Sequence, residues 1–186
     1  MGKTFPDIDE RNAQFIRDQH VFFVATAPRA ADGLLNLSPK GLDSFSILDP
    51  HTVAYLDLVG SGIETVAHLR ENARIVILFC AFEGPPRLLR LHGRGDVVEP
   101  GDAEWDELAA HFPNYPGARS IIRVRLERIS DSCGYGVPLY QHEGPRSQLI
   151  EWADRKGIDG IEAYKVDHNL ESIDGLAGLR RTEESA

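Results

Sequence analysis

Two cysteines are all this 186-residue chain contains, Cys80 and Cys133, and so wide a separation gives neither a disulfide framework nor a metal-ligand spacing. Long apolar runs are missing too. No stretch approaches the ~18 apolar residues of a membrane span, and the opening segment from Met1 to Asp7 has no apolar core for a signal peptide. The expected address is the cytoplasm, with no membrane partner. Positive charge is scarce, 20 Lys and Arg against 29 Asp and Glu for a net charge of -9, which argues against capture of nucleic acid but permits a local basic pocket. The seven histidines show no i, i+4 pairing and no adjacent cysteine, so no metal site is expected. Repeats, low-complexity tracts and linkers are absent, and residues 1–186 read as one domain, long enough to bury roughly two thirds of the unfolded chain's surface.

What is present alternates between β and helical signals. Residues 9–20 carry Ala13, Phe15 and Ile16 among polar side chains behind an acidic start, which predicts a short helix. The β-branched and aromatic run 21–26, a turn through Pro28 and Asp32-Gly33, and the segment 34–38 predict a hairpin. Further strands are expected at 52–57, at the apolar run 75–82, at 87–98 and at 120–129, where Ile122, Val124 and Leu126 alternate with charged residues. Helices are expected over 63–71, 103–111 and 147–156. The sum is a mostly β chain of six strands, largely in meander order, with flanking helices. The last residues, 180–186, are polar.

Chemistry concentrates in Asn36-Leu37-Ser38-Pro39-Lys40-Gly41, Tyr55-Leu56-Asp57 and Gly60-Ser61-Gly62-Ile63-Glu64-Thr65. Two glycines let backbone amides approach an anion, and the helix that follows presents its positive end. Ser61 and Thr65 add hydroxyls, and Lys40 offers a point charge suited to a phosphate monoester. On local sequence alone, a Gly-Ser-Gly loop before a helix is more often an ordinary cap.

This succession, with Leu69, Glu71, Asn72 and Arg74 on the helix and Arg90-Leu91-His92-Gly93 on a later strand, resembles the FMN-binding module of pyridoxamine 5'-phosphate oxidase-related proteins over roughly residues 10–130. The resemblance implies a six-stranded split β-barrel that binds FMN. It places Leu37, Ser38 and Pro39 along the flavin ring and Lys40 at the phosphate. Tyr55, Asp57, Ser61, Gly62 and Thr65 complete the cradle, and Leu88 and Arg90 stand on the strand that faces the ring. It also implies a homodimer with the flavin at the subunit interface. The chain departs from the vitamin-processing enzymes at Leu35, where they have Arg, at Glu64-Thr65, where they have two basic residues, and at Leu88, where they have a glutamine; a C-terminal Arg-His cluster is missing as well. An oxidoreductase of a separate branch, acting on some other small-molecule substrate or electron donor, is the implied function. A flavin, deazaflavin or haem binder acting as sensor or carrier is the alternative.

The residues 132–180 form an expected C-terminal extension that covers the cofactor or the dimer interface, with Tyr135 in a Gly-rich turn set against the ring. Cys133 reads either as a thiol near the flavin or as a small buried residue in that turn. Arg87, Arg90, Arg94, Arg123, Arg125 and Arg128 read as a basic patch for a dinucleotide or as solvated strand faces. Trp105 and Trp152 read as packing residues.

Overall fold

The computed structural model describes residues 2–181; residues 182–186 of the polar tail lie outside the described residues. Eight strands form one antiparallel sheet: β1 (Thr4–Phe5), β2 (Phe22–Thr26), β3 (Asn36–Lys40), β4 (Phe45–Asp49), β5 (Thr52–Leu58), β6 (Arg74–Cys80), β7 (Leu88–Val98) and β8 (Ala118–Ser132). Their order is β3-β2-β6-β7-β8-β5-β4, with β1 added to β8. The architecture is the expected split barrel with flanking helices.

Two corrections concern the strands. The count rises from six to eight because β4 pairs with β5 and the two-residue β1 pairs with the far end of β8. The order is also less of a meander than the sequence suggests: β2-β3, β4-β5 and β6-β7-β8 run as neighbours in series, but β6 returns to β2 and β5 crosses to β8.

Alternation explains the sheet's two sides. On β2, Phe22, Val24 and Thr26 point inward, and on β6 Ile75, Ile77 and Phe79 do the same. They meet Val53, Tyr55, Leu89, Leu91, Ile122 and Val124 in the barrel interior. The opposite faces of β5 and β8 are also apolar: Ala54, Leu56 and Ile121 pack under α3 (Trp105–Ala109) with Leu108 and Phe112. Burial on both faces is why β5 reads as a continuous apolar run.

The helices close the ends. α1 (Glu10–Arg17) starts at Asp9, whose side chain accepts from the Asn12 amide at 2.7 Å. α2 (Glu64–Asn72) lies on β7, β2 and β6 with Val66 and Leu69 inward, and it comes so near β7 that a Cβ on Gly95 would sit 2.9 Å from Leu69. α4 (Gln148–His168) runs well past the expected end at residue 156, and Gly157, at φ 65 and ψ 178, divides it into two helical stretches. Trp152 on the first meets Tyr164 on the second edge to face at 5.0 Å. Among the described residues no helix is long and apolar enough to cross a membrane.

Candidate functional site

A cleft of about 1700 Å³ opens between the end of β3, the start of α2, the head of β8 and residues 140–150 of the C-terminal segment. Strand periodicity selects what β3 offers to it. Asn36, Ser38 and Lys40 are half-buried on the cleft side, and Pro39 touches its rim. Leu37 faces the other way, is 68% exposed and does not line the cleft.

Beneath the floor lies a buried ion cluster. Asp57, wholly enclosed, accepts from Lys40 Nζ at 2.8 Å and from Arg119 Nε at 2.7 Å. Burial pushes this carboxyl up, but the Arg119 guanidinium and then the Lys40 ammonium overcome that and bring it down to about 2. Arg119 spends its other donors on the glycine loop: Nη1 donates to Gly60 O at 3.2 Å and to Asn169 Oδ1 at 2.9 Å, and Nη2 to Gly62 O at 2.7 Å. With those two carbonyls turned to Arg119, the trans peptides aim the Ser61 and Ile63 amides away from it. Asn169 Nδ2 donates to Gly60 O at 2.9 Å and ties the loop to the chain's last segment.

A second network runs along the cleft wall. Ser38 Oγ donates to Asn36 Oδ1 at 3.0 Å, and Asn36 Nδ2 donates to Thr65 Oγ1 at 2.9 Å and Thr26 Oγ1 at 3.1 Å. Thr26 Oγ1 lies 2.9 Å from His68 Nδ1.

The remaining sequence candidates are distributed unevenly. Gly62 and Thr65 line the cleft, and Ser61 stands exposed at the loop tip. Tyr55 is fully buried in the barrel against Phe22, behind Lys40, with its hydroxyl unpartnered among the described residues. Burial, reinforced by Asp57, raises its phenol well above the usual value. Leu88 and Arg90 are not brought to the cleft; Arg90 donates to Ser132 Oγ at 3.0 Å on the β7–β8 ladder. Tyr135 is 81% exposed and outside the cleft, because Gly134, at φ 65, packs on the Arg87 backbone and turns the chain outward. The part of the extension that lines the cleft lies within residues 140–150 instead, Tyr140 and His142 among them. Tyr140 N donates to Phe82 O at 2.9 Å, His142 N to Glu83 Oε1 at 2.7 Å, and the His142 ring stacks on His20 at 3.7 Å.

Cys133 is exposed, not buried, and both thiols are free. Three of the strand arginines are paired: Arg123 with Asp96 and Glu104, Arg94 with Glu127, and Arg87 with Asp131 while lying over the Phe15 ring. Sequence reasoning missed Arg119, Asn169, Thr26 and His68. A charged residue heading the apolar strand 118–124 was the one available signal for Arg119.

The family model for pyridoxamine 5'-phosphate oxidase matches residues 8–133. The chain belongs to this family. A curated relative, the pyridoxamine 5'-phosphate oxidase family protein ustO of Aspergillus flavus, is 35% identical over 180 residues, covering 87% of this chain and 71% of its own. Among solved structures, HupZ of Group A Streptococcus superposes with a TM-score of 0.54 at 22% identity, over 67% of this chain and 99% of that one. A pyridoxamine 5'-phosphate oxidase-like protein of Lactobacillus delbrueckii gives 0.52 at 17% identity, over 68% and 98%. At such identities these structures speak for the fold alone. The family match ends at residue 133, so Tyr140, His142 and Asn169 are additions outside the matched core.

Proposed function

We propose that this pyridoxamine 5'-phosphate oxidase family member binds FMN in the cleft beside Lys40 and acts as a flavin-dependent oxidoreductase on a small molecule. The observation that carries the reading is the joint placement of Lys40, Thr65 and the Gly60–Gly62 loop at one end of a large cleft, in a chain of this family. The donor set fits a phosphate monoester: an ammonium, a hydroxyl and a helix start whose loop is held by Arg119. At about 1700 Å³ the cleft exceeds the roughly 300–1,000 Å³ of common ligand sites, so a mononucleotide leaves room for a second molecule. One feature of the donor set opposes the anion. Glu64 folds back over the loop, its Oε2 only 2.6 Å from where a Gly62 Cβ would stand, and a phosphate has to displace it.

When bound, the flavin supplies hydride and electron transfer. The chain's own residues orient it and exclude water: Lys40 and Thr65 anchor the phosphate, Ser38 and Asn36 present polar groups along one wall, and Tyr140 with His142 covers the opposite mouth. The reading includes a homodimer. β3 is the terminal strand of the sheet, and Leu34, Leu35 and Leu37 beside it are 54%, 81% and 68% exposed, a surface that a second copy would cover. It also includes the cytoplasm, which suits an exposed free thiol at Cys133.

Purification and titration test this. The expected protein is yellow or quenches the fluorescence of added FMN, is bleached by a reduced nicotinamide, and sediments as a dimer. A protein that neither carries nor binds FMN overturns the reading. A bound flavin that no donor reduces turns it into a carrier.

A further inference from the structure

His68 lies on the inner face of α2 and is fully buried, in a helix whose other buried residues are Thr65, Val66, Ala67 and Leu69. Its Nδ1 meets Thr26, but its Nε2 has no partner among the described residues. An orphaned polar atom in a core is costly, and packing alone is better served by an apolar side chain. What the imidazole does is decided by the hydrogens of the wall network.

Asn36 gives Nδ2 to the oxygens of both Thr26 and Thr65 and takes the Ser38 proton on Oδ1. The Thr26 oxygen is therefore receiving a hydrogen from Asn36, and its own proton turns to its remaining neighbour, His68 Nδ1. With that proton on the bond, Nδ1 offers a lone pair and Nε2 carries the ring's hydrogen. Burial holds the imidazole below its ordinary range against the pull of Asp174, Glu64 and Glu71, which agrees with a neutral ring. The same network run in reverse carries the opposite tautomer. With a proton on Nδ1, Thr26 donates to Asn36, the amide turns over, Thr65 becomes a donor to Asn36, and Ser38 receives an N–H.

We propose that His68 is a positioning residue: held as the Nε2–H tautomer, it fixes Thr26 and Asn36 so that Ser38 presents lone pairs to the cleft and Thr65 keeps a proton to give. The ligand group seated at Ser38 is then an N–H or O–H donor, and the one at Thr65 an acceptor oxygen such as that of a phosphate or carbonyl. A hydroxyl otherwise rotates to suit any ligand; here its direction is set from inside the core. The naming of FMN as that ligand rests on the function proposed above, whereas the direction of the network does not.

The test uses the full chain with 15N-labelled histidine. Long-range proton–nitrogen spectra of the ligand-free wild type, with His68 assigned through its backbone, should show Nδ1 unprotonated and Nε2 protonated. An Nδ1–H ring overturns the proposal whatever the protein binds. FMN titration of Thr26→Val, which keeps shape but breaks the link, should raise the dissociation constant roughly tenfold, the loss of one neutral hydrogen bond, and Thr26→Ser should restore it. Equal affinity in wild type and Thr26→Val also overturns the proposal. An Nε2–H ring in a wild-type protein that binds no FMN supports the network and refutes the flavin reading instead.

Discussion

Replacing Asp57 by Asn probes the ion cluster under the cleft without changing its shape. The wild-type carboxyl lies at about 2 instead of 3.8 because Arg119 and Lys40 outweigh the burial that pushes it up. Taken as a free energy, that displacement favours the charged form by about 2 kcal/mol, and leaving Arg119 buried without its partner extends the cost toward the ~3–5 kcal/mol of a broken buried pair. Asp57→Asn should therefore lose at least about 2 kcal/mol at neutral pH, or roughly 4–8 °C in melting temperature for a chain of this size. The pH dependence has a definite sign. A carboxyl lowered in the folded state gives its full stability above the unfolded value near 3.8 and loses it as pH falls toward 2, since the unfolded chain binds the proton first. The gap between wild type and variant should accordingly close between about pH 4 and pH 2, while the other carboxylates, common to both proteins, cancel. Urea unfolding of the pair at several pH values measures it. A loss under about 0.5 kcal/mol at pH 7, or a gap that stays constant on acidification, refutes the electrostatic account of the cluster.

Three further outcomes follow from the same geometry. Lys40→Ala should weaken FMN roughly 10- to 100-fold in a fluorescence-quenching titration, the equivalent of one charge-assisted hydrogen bond; an unchanged constant removes Lys40 from the anchor. Glu64→Gln should tighten FMN by a few fold while destabilising α2 by about 0.3–1 kcal/mol, because the carboxylate repels the phosphate yet favours the helix start in its absence; isothermal titration and thermal melts read the two effects, and weaker FMN binding would show Glu64 to be part of the cradle. Tyr140→Ala should shift the visible spectrum of the bound flavin and Tyr135→Ala should not, since only Tyr140 lines the cleft; the reverse pattern would place the residue 132–138 turn at the ring.

Local chemistry carried most of the fold. The runs 21–26, 75–82 and 120–129 are strands because their β-branched residues alternate or run continuously, a property visible in a window of ten residues. β4 was illegible for the opposite reason: Phe45 and Ile47 are only half-buried, and the strand exists through its pairing with β5 at the sheet's edge. β1 has two residues and no pattern of its own, and only β8 makes it a strand. At α4, Gly157 and Gly160 look like a stop, yet the chain resumes its helix because Ile161 and Tyr164 pack back on Ala153 and Trp152.

The site was legible in its motif and not in its supports, and the difference is one of sequence distance. Lys40, Gly62 and Thr65 stand in short segments whose residue types suffice to suggest an anion site. What holds those segments comes from far along the chain: Arg119 is 62 positions from Asp57 and 59 from Gly60, Asn169 is 109 from Gly60, and His68 is 42 from Thr26. No window spans such pairs. The same distances carry a physical consequence for how the cleft is assembled. Contacts of such range form only with the tertiary structure: pairing of β5 with β8 brings Arg119 to Asp57, and the chain beyond α4 brings Asn169 to Gly60. The anion loop is thus braced by residues distant from it in sequence, Arg119 and Asn169, both buried. Loss of the segment after residue 168 should leave the barrel folded but the Gly60–Gly62 loop unbraced, so that FMN affinity falls further than stability does.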